Sequence, residues 1–201
     1  MKNRKRNRML GYDYSQDNLY FVTNCVKGMV CCLGEIIPDE GPVVGTGRDL
    51  SVRDLFVPEL SVPDLSVRVH DSDSTDSSIP NQIMELNKYG EIVQERLLWL
   101  EEQYPYVILH NFVVMPNHLH AILEIDSSRV KDETVKIKSL SSLLGAFQTT
   151  SSKMIHEADF LNFSWHRSFH DHIIRTDKSY HIISNYIDQN TSNWESDKFF
   201  R

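Results

Sequence analysis

The stretch that decides the fold runs Tyr106-Val107-Ile108-Leu109-His110-Asn111-Phe112-Val113-Val114-Met115, then Pro116-Asn117, then His118-Leu119-His120-Ala121-Ile122-Leu123-Glu124-Ile125. Two apolar runs rich in β-branched residues, broken by a Pro-Asn pair, predict two strands joined by a sharp turn, both set in the middle of a sheet. Side chains alternate along a strand, so His118 and His120 project from one face, where two imidazoles can share one cation. By itself that spacing is a weak signal, since strand histidines are more often satisfied by ordinary hydrogen bonds.

Working outward, Asn18 to Lys27 carries Leu19-Tyr20-Phe21-Val22-Thr23 and predicts a strand. Gln82 to Gln103 places Ile83, Leu86, Ile92, Val93, Leu97 and Leu100 near a 3.6-residue period and is closed by Pro105, which predicts a helix. Lys138 to Glu157, with Leu140, Leu143, Leu144, Phe147 and Ile155, predicts a second helix, although its Ser/Thr cluster at 149–152 weakens the centre. Trp165 to Ile174 predicts a last strand. Asp177 to about Asn193 predicts a terminal helix with Asp177 near its N-cap and Ile182, Ile183 and Ile187 inward. The succession β-α-β-β-α-β-α suits an α+β fold: a ferredoxin-like antiparallel sheet with helices on one face, plus a C-terminal helix.

Residues 36–80 stand apart. They hold five of the seven prolines and nine acidic residues against three basic ones, and they end in the polar run 71–78. From Arg48 to Val67 a five-residue pattern repeats four times, as in Arg48-Asp49-Leu50-Ser51-Val52 and Pro63-Asp64-Leu65-Ser66-Val67. Twenty residues fall short of the stacked units a solenoid needs, so an acidic, proline-rich surface-loop insertion is the expectation. This segment accounts for −6 of the net charge of −7, so the remaining chain is nearly balanced. A basic tail at 1–9, with Lys2, Arg4, Lys5, Arg6 and Arg8, could neutralise phosphates locally. Three cysteines, Cys25, Cys31 and Cys32, fit neither a disulfide framework nor a zinc spacing, and they read as small core residues of a reducing compartment. No run of about 18 apolar residues occurs, so a cytoplasmic location without a membrane partner is expected.

Chemistry gathers again at Tyr186 and Asn190, which at i and i+4 of the terminal helix would share one face. A phenol with a pKa near 10 needs help to attack at neutral pH, and a divalent cation on the scissile group would supply it. The plainer readings are a half-buried helix tyrosine and a helix-capping asparagine. Tyr180, six residues earlier, lies about 240° around the helix and so belongs to a different face.

Several ordered stretches together resemble the single-tyrosine HUH transposases, and within them the REP-associated tyrosine transposase subgroup. They are Gly11-Tyr12-Asp13-Tyr14-Ser15 leading into Tyr20-Phe21-Val22-Thr23, Asn87-Lys88-Tyr89-Gly90-Glu91-Ile92-Val93, and Met115-Pro116-Asn117-His118-Leu119-His120. Further on stand Trp165-His166-Arg167-Ser168-Phe169-His170-Asp171-His172-Ile173-Ile174-Arg175 and Tyr186-Ile187-Asp188-Gln189-Asn190 with Trp194. The resemblance covers residues 10–35 and 81–195 as one transposase domain; the insertion and Thr191, where the family usually has proline, depart from it.

The resemblance implies that His118 and His120 bind Mg²⁺ or Mn²⁺ with Asn190 completing the site. It implies that Tyr186 attacks single-stranded or hairpin DNA to give a 5′-phosphotyrosine and a free 3′-hydroxyl. Such a protein would be bacterial, nucleoid-associated when bound to DNA, and a monomer or homodimer. Arg167, Arg175, His172, Lys5 and Arg6 are second-tier candidates for DNA contact. His166, His170 and His172 alternate and could form a second metal cluster or contact phosphate. Two other readings stay open: a domesticated repeat-hairpin DNA-binding protein with little cleavage, and a metal-dependent hydrolase unrelated to DNA.

Overall fold

The computed structural model describes residues 12–39, 82–132 and 134–200. The basic tail with Lys5 and Arg6, and the repeats of residues 48–67, lie outside them. The elements in chain order are β1 (Asn18–Cys25), β2 (Gly34–Pro38), β3 (Gln82–Leu86), α1 (Lys88–Gln103), β4 (Val107–Met115), β5 (His118–Ile125), α2 (Leu140–Glu157), β6 (His170–Ile174) and α3 (Asp177–Asp188). Short 3-10 turns occur at Lys27–Met29, Ser127–Arg129 and Trp194–Ser196.

The main sheet has the order β4-β5-β1-β6, with every neighbouring pair antiparallel. This is the ferredoxin-like arrangement expected from the sequence, in which the strand after each crossover helix skips a place. β5 is central and buried along nearly its whole length, which is why it reads as a continuous apolar run. β4 lies at the sheet edge and not mid-sheet; the bulge between Leu109 and Asn111 interrupts its pairing.

The two faces of the sheet have separate cores. On one face Tyr20 and Val22 of β1 and Leu119, Ala121 and Leu123 of β5 are fully buried among Val93, Leu97 and Leu100 of α1 and Leu143, Leu144 and Phe147 of α2. On the other, Ile122 and Ile174 meet Ile187 of α3, with Phe21, Val113 and Ile183 alongside. The alternation of β5 therefore puts His118 and His120 on the face that α3 crosses.

Several local expectations are corrected. The helix expected from Gln82 begins only at Lys88, because Asn87 caps it: the Asn87 side chain accepts from Tyr89 N–H and Gly90 N–H at 2.9 and 3.2 Å. Residues 82–86 instead pair with 34–38, from Gly34 opposite Leu86 to Pro38 opposite Gln82. Ile36 to Pro38 thus belong to a strand and not to the insertion, whose ends are brought together by that pairing. The last strand is confined to His170–Ile174, and Trp165 contributes an isolated bridge to Val26. Thr176 caps α3 with Asp177 beside it at the first helical position, as expected, but the helix ends at Asp188, and Ile182 is exposed rather than inward. Of the cysteines only Cys25 is buried, while Cys31 is exposed.

Gly90 sets how closely α1 approaches the chain ahead of β2: a Cβ there would lie 2.0 Å from the Leu33 carbonyl oxygen. Gly90→Ala should therefore destabilise the protein by about 1–3 kcal/mol through overpacking. An unconstrained helix would gain about 1 kcal/mol from the same change. Urea unfolding of the two proteins measures the sign.

Candidate active site at the histidine pair

His118 and His120 are 0% and 1% exposed. Their positions follow from register: on β1, Cys25 and Thr23 stand opposite them, and on β4, Met115 and Val113. The two Nε2 atoms face each other at 3.1 Å. Each Nδ1 has its own partner, Asn117 Oδ1 at 2.9 Å from His118 and Thr23 Oγ1 at 2.8 Å from His120. The Phe21 ring stacks on His120 at 5.2 Å.

From above, α3 delivers Tyr186, whose hydroxyl lies 3.2 Å from His120 Nε2 and donates to Asp197 Oδ2 at 3.3 Å. Asn190 is not on the helix as expected but two residues past its end, in a turn where its N–H donates to Ile187 O at 3.2 Å. That turn preserves the outcome, since Asn190, Tyr186, His120, Phe21 and Asp197 line one cavity of about 480 Å³. The chain then returns across the pair: Trp194 and Phe199 pack against His118 with ring centroids at 6.0 and 4.5 Å. The site thus uses residues up to Phe199, beyond the limit at 195 drawn from the sequence.

Burial pushes the His118 imidazole down to about 4, with Asp197 opposing and Lys198 adding to the shift. Burial likewise holds His120 well below its ordinary range, reinforced by His118 and Lys198. Both rings are therefore neutral at pH 7, the form in which imidazole offers a lone pair to a metal. The Tyr186 phenol is raised, first by burial and then by Asp197, against a hydrogen bond from Asn190 that lowers it. Without added positive charge this tyrosine stays protonated at neutral pH.

The residues present fit a divalent cation. Ligand atoms of His118, His120 and Asp197 lie within 4.8 Å of one another, the one such group among the described residues. Asn190 is 2% exposed, and its Oδ1 is buried with no hydrogen-bond partner, an acceptor left for something else in the same cavity. Two imidazoles with oxygen donors suit a small first-row or hard divalent ion.

The remaining sequence candidates are dispersed. His170 and His172 stand opposite Thr23 and Phe21, so they extend the histidine-bearing face of the sheet toward its β6 edge, where both are exposed. His166 is off the strand, and the three alternating histidines do not assemble as a metal group among the described residues. Arg167 is exposed, and Arg175 is exposed beside a separate groove lined by Tyr12, Asp17 and Glu124. Tyr180 packs edge-on against His110. Asp197, Thr23 and Asn117 were not singled out from the sequence. Asn117 had a signal, the polar residue in the turn beside His118; Asp197 had none, since it reaches the site only through the fold of the terminal segment.

No family model matches the chain. It is 25% identical to an uncharacterized protein of Haemophilus influenzae over 210 residues, covering 98% of this chain and 93% of that protein. Among solved structures it is similar to a REP-associated tyrosine transposase bound to a REP hairpin, at a TM-score of 0.50 and 14% identity, covering 98% of this chain and 77% of that one. At that identity the likeness shows a shared fold. A candidate transposase from Deinococcus radiodurans R1 aligns more loosely, at a TM-score of 0.40 and 13% identity over 90% of this chain and 95% of that one.

Because His118 titrates near 6.5 when unfolded and near 4 when folded, the unfolded chain binds more protons between these values. Stability of the metal-free protein should fall as pH drops from 6.5 to 4, by about 3 kcal/mol from His118 alone. His120 shifts in the same direction and adds to the loss. Urea unfolding in EDTA across this range checks it, with a His118→Gln/His120→Gln variant losing that part of the slope.

Proposed function

We propose that this chain is a metal-dependent DNA-nicking and strand-transfer enzyme of the single-tyrosine HUH transposase class. The observation that carries the reading is the convergence of the Tyr186 hydroxyl, the His120 imidazole, the Asp197 carboxylate and the orphaned Asn190 oxygen at one cavity, with the His118 imidazole 3.1 Å behind His120. Supporting it are the five sequence blocks and the fold likeness to a transposase whose structure holds a REP hairpin.

In this reading Tyr186 Oη attacks the phosphorus of a single-stranded segment beside a hairpin. A bond forms from the phenol oxygen to phosphorus while the bond from phosphorus to the 3′-oxygen breaks. The products are a 5′-phosphotyrosine and, once that oxygen takes a proton from water, a free 3′-hydroxyl. The phenol proton leaves along the hydrogen bond already in place to Asp197 Oδ2. His118, His120 and Asn190, with Asp197 beside them, would hold Mg²⁺ or Mn²⁺. When bound, such an ion polarises the scissile phosphate and offsets its developing charge. The T-shaped contact with Phe21, centroids 6.2 Å apart, fixes the phenol ring over the pair.

DNA reaches the site along the same sheet face, where His172 and His170 lie exposed, with Arg167, Arg175, Lys5 and Arg6 as phosphate contacts outside the reacting centre. The acidic insertion, entered after Pro38 and left before Gln82, takes no part in the chemistry.

Incubation with labelled hairpin DNA from the flanks of its own gene, in Mn²⁺ or EDTA, should give a covalent protein–DNA band only with Mn²⁺. Tyr186→Phe should lower that band by at least about a thousandfold while leaving hairpin binding intact. Hairpin binding with no adduct on any flanking sequence overturns the enzyme reading in favour of a DNA-binding protein. Because Pro38 and Gln82 are register partners, replacing residues 40–80 by an Asn-Gly turn should leave adduct formation within about twofold.

A further inference from the structure

We infer that Thr23 and Asn117 are positioning residues: Asn117 fixes the hydrogen of His118 on Nδ1, and the Thr23 hydroxyl holds the His120 ring in either tautomer, so that both Nε2 atoms meet at one shared point when a cation binds. The inference deepens the metal-site reading above and rests on it.

Asn117 decides His118. Its amide is fully buried, and the Nδ2 group donates to two carbonyl oxygens, Phe199 O at 2.8 Å and Met29 O at 3.3 Å. Both amide hydrogens are thereby committed, and the orientation of the group is fixed with Oδ1 toward His118 Nδ1 at 2.9 Å. An amide oxygen only accepts, so Nδ1 of His118 carries the hydrogen and its Nε2 is a bare lone pair aimed at His120.

Thr23 serves His120, and a hydroxyl is the group the position requires. Facing a bare Nε2 on His118 at 3.1 Å, His120 of the metal-free protein must present Nε2–H; two lone pairs at that distance would repel. Its Nδ1 is then an acceptor, and Thr23 Oγ1–H donates to it across 2.8 Å. With a cation between the rings, His120 must offer Nε2 bare and carry its hydrogen on Nδ1, which the same hydroxyl accepts after rotating about its C–O bond. Only a group that both donates and accepts serves both states, and β1 puts Thr23 directly opposite His120 in the register. The same residue is 4% exposed, so water does not substitute for it.

Two measurements test this. Long-range proton–nitrogen NMR of histidine-labelled protein in EDTA should show His118 protonated at Nδ1 and His120 at Nε2. Mn²⁺ titration followed by EPR of the free ion should show that Thr23→Val weakens binding about 10–100-fold, while Thr23→Ser stays close to wild type. Valine matches the shape of threonine at a buried strand position, so circular dichroism should confirm that the variant is folded. Hydrogen on Nε2 of His118 overturns the role of Asn117. Wild-type Mn²⁺ affinity in Thr23→Val overturns the role of Thr23 alone. A wild-type protein that shows the expected tautomers yet binds no Mn²⁺ overturns the cation reading itself, and with it the purpose assigned to both residues.

Discussion

Two imidazoles held 3.1 Å apart on the buried central strand are an arrangement that burial makes costly unless something satisfies both nitrogens of each ring. Much of the surrounding structure is a response to that cost. β1 supplies Thr23 through its register with β5, and the β4–β5 turn supplies Asn117. Desolvation keeps both rings neutral, so at pH 7 each carries a single N–H and keeps one unprotonated nitrogen, the charge state a cation site requires.

The sheet makes this possible by dividing labour between its faces. α1 and α2 fill one face with an apolar core that holds β1 and β5 rigid, while the other is left to the histidines, α3 and the terminal segment. A site mounted on paired strands keeps tighter geometry than one mounted on loops. α3 is anchored chiefly by Ile187 next to Tyr186, so the nucleophile candidate is fixed by packing while its ring stays 39% exposed for a substrate. The segment from Trp194 to Phe199 closes the inner side of the pair and brings Asp197 to the phenol.

The sheet and the histidine pair were legible because their signals are local. The period-2 placement of His118 and His120 is a property of three consecutive residues, and the apolar runs of β1, β4 and β5 each carry their own pattern. What was missed depends on distant partners. Gln82–Leu86 continues the apolar spacing of α1, and only its pairing with Gly34–Pro38 and the cap at Asn87 makes it a strand. Asn190 was expected on the helix; α3 stops at Asp188, and a backbone turn, invisible in the spacing, still delivers the side chain to the cavity. Asp197 lies eleven residues after Tyr186 in a segment with no periodicity, and the packing of Trp194 and Phe199 on His118 places it.

In the proposed site both Nε2 atoms of this pair converge on one divalent cation beside Tyr186. Electron spin-echo envelope modulation of the Mn²⁺-loaded protein tests it most directly, since it counts nitrogen nuclei bound to the metal. Coupling to two imidazole nitrogens is expected, reduced to one in either His118→Gln or His120→Gln. Mn²⁺ bound with no imidazole coupling, or coupling unchanged in both variants, would contradict it.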